Sequence, residues 1–73
     1  MYKRMFLCRD EDGLLHMIVG RHVPEIAIYE RIAVWRYDEL LDDDYNDIQL
    51  NREQYPNVTF DNSPVEVELV LKK

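Results

Sequence analysis

Glycine is scarce in this chain: Gly13 and Gly20 are the only two among 73 residues. A glycine-rich loop cradling phosphates is therefore excluded, because such loops need several closely spaced glycines. Cysteine is rarer still. Cys8 stands alone, which rules out an internal disulfide and a zinc site built from thiolates. Long apolar runs are also missing, and nothing approaches the roughly 18 apolar residues of a membrane span. The first residues, MYKRMFLCRDEDG, turn acidic at residue 10, too early for the apolar centre of a signal peptide. The reading from these absences is a soluble cytoplasmic protein, in which the Asn57-Val58-Thr59 sequon has no glycosylating compartment.

What is present fits one small domain, residues 1–73. The apolar fraction is 47% and the charged fraction 33%, a globular balance. A chain of this size hides only about 60% of the surface its unfolded form exposes, so the core is small. The net charge is −6, and its distribution is uneven. Residues 38–53 hold Asp38, Glu39, Asp42, Asp43, Asp44, Asp47 and Glu53 against Arg52 alone, which accounts for the whole imbalance. Nucleic-acid backbones reward clustered Lys and Arg, so direct nucleic-acid binding is not expected. A localised acidic patch instead suits a basic protein surface.

The order of elements follows from periodicity. Apolar stretches around 2–8 and 14–20 flank Asp12-Gly13, a strong hairpin signal. With those two residues as the turn, Arg9 faces His16 and Cys8 faces Met17, so Cys8 and His16 point to opposite faces. Glu25–Tyr37, EIAIYERIAVWRY, is the most apolar segment. Its β-branched residues favour a strand over 26–37, with a bend or bulge near Glu30-Arg31, although a helical seam through Ile26, Tyr29, Ala33, Tyr37 and Leu40 is the alternative. Residues 38–55 read as the main helix. Leu41, Tyr45, Ile48, Arg52 and Tyr55 recur on one face, Asp38 can cap, and Pro56 stops it. Residues 65–72 alternate cleanly as a last strand. The expected fold is α+β, a small antiparallel sheet carrying one main helix.

Catalytic chemistry finds little footing. Cys8 with His16 or His22 lacks the geometry of a nucleophile pair, and the same residues lack metal-ligand spacing. Asp42, Asp44, Asn46 and Glu53 fall at calcium-loop positions 1, 3, 5 and 12, but Asp47 occupies the place where the loop turns on glycine. No enzyme activity, metal or cofactor is expected. The partner-binding edge is placed where the apolar segment meets the acids, at Trp35, Arg36, Tyr37, Asp42, Asp43, Asp44 and Tyr45. Aromatics and arginine carry interface energy, and adjoining charge steers encounter.

In length and general character the chain resembles the small phage-encoded regulators that bind bacterial RNA polymerase, of the Xanthomonas phage type. The resemblance covers no alignable motif and carries over no functional residue. It implies binding to host RNA polymerase in the host cytoplasm, inhibition of initiation by displacement of the promoter-specificity factor, and antitermination. The competing expectation is an acidic mimic of DNA that blocks a nucleic-acid-processing enzyme.

Overall fold

The computed structural model describes residues 3–38, 40 and 44–68. Its regular structure is entirely strand: β1 (Arg4–Arg9), β2 (Leu15–Gly20), β3 (Glu25–Tyr29), β4 (Ile32–Arg36), β5 (Asn46–Leu50) and β6 (Val65–Val67). A four-stranded antiparallel sheet has the order β5-β2-β1-β6, and β3-β4 form a separate hairpin. The expected α+β fold is thus overturned in favour of an all-β one.

The expected helix at 38–55 is where sequence and structure part. Tyr45 and Ile48 fit a helical seam, but Ile48 and Leu50 also alternate with Asp47 and Gln49 at the strand period. The pairing wins, because β2 offers an open edge and β5 fills it, setting Met17 opposite Ile48 and Leu15 opposite Leu50. Beyond β5 the chain turns at Arg52 and Glu53 rather than coiling. Strand β5 also runs through the stretch that a calcium loop would curl around its ion. Residues 39 and 41–43, and residues 69–73 of the expected last strand, lie outside the described residues; within 65–68, Val65–Val67 is a strand as expected.

The long strand expected at 26–37 is two strands. Glu30 and Arg31 have φ of 49° and 71°, and Tyr29 pairs with Ile32 across them. Two successive residues at positive φ make a type I′ turn, here without the Asn or Gly that adopts it at lowest cost.

The first hairpin forms where expected but one residue out of register. Gly13 N–H donates to Asp10 O and Asp10 N–H to Leu14 O, with Gly13 at φ 93°. This is a three-residue loop in which only Gly13 takes the left-handed conformation. Cys8 therefore lies opposite His16, not Met17, and Arg9 opposite Leu15. A one-residue slip moves every side chain of one strand to the other face. The observed sorting puts Phe6, Cys8, His16 and Ile18 on one face and Met5, Leu7, Leu15 and Met17 on the other.

Both faces are covered. Phe6, Cys8 and Ile18 pack under Tyr37, with Trp35 and Tyr45 against them. Leu7 and Leu15 pack under Val58 from the long connection, with Met17, Leu50, Val65 and Val67 around them. Gly20 is required beneath Tyr37, since a Cβ there would meet the ring at 2.5 Å. The connection over the second face has no ladder of its own. Arg9 holds it: the guanidinium donates five hydrogen bonds, to the carbonyls of Val58, Gly13, Arg52, Gln54 and Tyr55 at 2.7–3.1 Å. All the donors of one guanidinium fork are used on backbone.

Candidate functional site

Strand β4 docks edge-on against the first hairpin's loop. Glu11 N–H donates to Ala33 O at 3.0 Å, and Ala33 N–H donates to Glu11 Oε1 at 3.1 Å. Trp35 N–H donates to Asp10 Oδ1 at 2.9 Å. The hairpin leans on the sheet along this line, and beside it opens a cleft of about 370 Å³. Its floor is His16, Asp47 and Gln49 from β2 and β5, and its opposite wall carries Tyr29, Val34, Trp35 and Arg36, with Tyr37 and Tyr45 contributing.

At the floor lies an ionic triplet in which His16 and Asp10 are buried and Asp47 is exposed. His16 Nε2 is 2.9 Å from Asp10 Oδ1 and His16 Nδ1 is 2.8 Å from Asp47 Oδ1. A neutral imidazole has one N–H to donate, whereas the protonated ring donates both. Burial alone would pull the His16 pKa down. The hydrogen bonds to Asp47 and Asp10, together with the two negative charges, outweigh it, so the pKa stands above its ordinary 6.5. The geometry accordingly describes an imidazolium clamped between two carboxylates. Its two acids come from residues 37 apart in the chain, Asp10 and Asp47.

Cys8 shares this face directly opposite His16, so the expectation that the two point apart is corrected. The thiol is nevertheless fully buried, and burial, with Asp10 and Asp47 nearby, pushes its pKa up to about 12. Both His16 nitrogens are held by carboxylates, and a thiol so far from ionisation is a weak nucleophile.

Of the residues expected at the partner-binding edge, Trp35, Arg36, Tyr37 and Tyr45 all meet at the cleft. Tyr37 is 1% exposed, stacked on Tyr45 with ring centroids 4.6 Å apart, and its hydroxyl accepts Arg21 N–H at 3.1 Å. It is a wall rather than a contact. Arg36 lies over the Tyr29 ring at 5.4 Å. Trp35 packs beside Phe60, and its buried indole Nε1 has no hydrogen-bond partner among the described residues. Asp44 is apart from the cleft residues, paired with Lys3 at 2.9 Å and Arg21 at 3.6 Å. Asp42 and Asp43 lie outside the described residues.

The sequence reading missed Asp10, His16 and Asp47. The register carried the missing signal: once Cys8 faces His16, Asp10 sits at the strand end within reach of the imidazole.

Among the described residues no helix is long and apolar enough to cross a membrane. No protein-family model matches the chain, and no curated protein or solved structure matches it.

Proposed function

We propose that this chain is a non-enzymatic binding module whose aromatic cleft receives a basic segment of a larger protein assembly. The observation that carries this reading is the gathering of Trp35, Arg36 and Tyr45 around one cleft. Aromatic and arginine side chains in a desolvated recess are the usual anchors of an interface. The segment 38–53, which bears the net charge, follows Trp35 and Arg36 in the sequence and supplies long-range attraction.

The resemblance noted from the sequence makes bacterial RNA polymerase the first assembly to try, with modulation of initiation and termination as the activity. The DNA-mimic alternative draws no support from Asp10, Asp44 and Asp47. Asp10 and Asp47 are turned onto His16 and Asp44 onto Lys3 and Arg21, where a mimic needs free carboxylates in rows.

The test is calorimetric titration of purified polymerase with the chain at low and high salt. Asp42, Asp43 and Asp44 changed together to Asn should weaken binding and flatten its salt dependence. Trp35→Ala, which removes the aromatic ring from the cleft wall, should weaken it about tenfold or more. Absence of binding to polymerase at both salts would remove the assignment of the partner.

A further inference from the structure

Strand β3 is the outer strand of its hairpin, and among the described residues nothing pairs with its free edge. The directions of its backbone groups follow from the turn. Tyr29 and Ile32 close a two-residue loop, so Glu25, Ala27 and Tyr29 bond inward to β4, while Ile26 and Ile28 turn their N–H and C=O outward. The same alternation on β4 is visible directly, because Ala33 and Trp35, opposite Ile28 and Ile26, send their N–H groups outward to Glu11 and Asp10. The outward residues of β3 are also exposed apolar ones, Ile26 at 51% and Ile28 at 67%. An exposed apolar edge without proline, lysine or a bulge is an open template for another strand.

We propose that the strand this edge accepts is β3 of a second copy, antiparallel and centred on Ala27. In that register each outward-facing residue meets an outward-facing one: Ile26 lies opposite the second copy's Ile28, and the reverse. The two pairs then exchange backbone hydrogen bonds on both sides of the two-fold. Ala27 meets itself at a position of close approach, where a small side chain fits. The charges also complement each other. Glu25 is the only charged residue of β3, and it falls opposite Tyr29 of the second copy, whose ring lies beneath the Arg36 guanidinium. The contact is isologous, as closed dimers require, and joins two hairpins into one four-stranded sheet. Two short edges bury less than a standard interface, so the dimer is weak and depends on concentration. The inference does not rest on the reading of the cleft, and failure of polymerase binding would leave it intact.

Sedimentation velocity from micromolar to millimolar protein, combined with amide hydrogen exchange, tests it. The expected result is a monomer–dimer equilibrium in which the Ile26 and Ile28 amides become protected as concentration rises. The Ala27 and Tyr29 amides, bonded within the hairpin, serve as the unchanged control. Ile28→Lys sits at an exposed position and should raise the dissociation constant about tenfold or more, with Trp35 fluorescence confirming that it folds. A monomer throughout the range, a dimer untouched by Ile28→Lys, or Ile26 and Ile28 protection appearing only on addition of a foreign peptide would each overturn the proposal.

Discussion

Two polar side chains tie together segments that lie far apart in the chain. His16 links Asp10 on the first loop to Asp47 on β5, and Asp10 in turn accepts the Trp35 N–H of β4. Its raised pKa fixes the sign of a pH effect. The folded state binds the proton more tightly than the unfolded chain, so the stabilisation is complete below about 6.5 and is lost as pH rises through the raised value. At the acid end the sign reverses. The hydrogen bond from Lys3 holds the Asp44 carboxyl below its ordinary 3.8, and the hydrogen bond from Arg4 holds Glu66 below its ordinary 4.5. Those contributions exist above the ordinary values and disappear as pH falls through the lowered ones. Stability should therefore peak between about 4.5 and 6.5, and urea midpoints measured across that range and on either side check it. His16→Gln should abolish the decline above about 6.5. Arg9 is the second such residue. Arg9→Lys keeps the charge but breaks the fork, and it should cost about 3 kcal/mol in the same denaturation experiment.

At the scale of elements, the chain's readable parts were those whose signals were local. The Leu15–Gly20 strand, the turn before it and the alternation through Val65–Val67 can be read directly from the sequence. The register of the first hairpin cannot, because Asp12-Gly13 serves a two-residue loop and a three-residue loop equally well, and only packing chooses. That single ambiguity concealed the His16 cluster and placed Cys8 and His16 on opposite faces. For Asn46–Leu50 both periods fit, and the decision rests on an edge contributed by residues about 30 positions earlier. The aromatic half of the cleft was legible, since Trp35, Arg36, Tyr37 and Tyr45 stand close in sequence; its ionic floor was not. Residues 26–37 read as one strand with a bend near Glu30-Arg31, rather than a hairpin turning there, because neither residue favours positive φ. That conflict yields a prediction. Replacing Glu30-Arg31 with Asn-Gly should stabilise the protein by about 1 kcal/mol, measured as a higher urea midpoint with an unchanged slope.

For the molecule as a whole, the two sheets share one core but few backbone bonds. The hairpin β3-β4 meets the larger sheet through Asp10, Glu11 and the Tyr37 cluster. Trp35, the only tryptophan, sits at that seam. Its fluorescence and far-UV circular dichroism should therefore report a single coincident unfolding transition in the native sequence. Glu11→Ala, which removes the side-chain acceptor for Ala33, should make the Trp35 signal change at lower denaturant than the dichroism. Coincident transitions in that variant would mean that the Tyr37 packing alone couples the two sheets.

The grip of Arg9 on the connection after β5 has a wider consequence. Every group it holds is a main-chain carbonyl, and main-chain carbonyls are the same whatever side chain follows them. The socket is blind to identity. Positions such as Glu53 can change their chemistry freely while the loop keeps its path, so this face can acquire new recognition chemistry without renegotiating the fold beneath it.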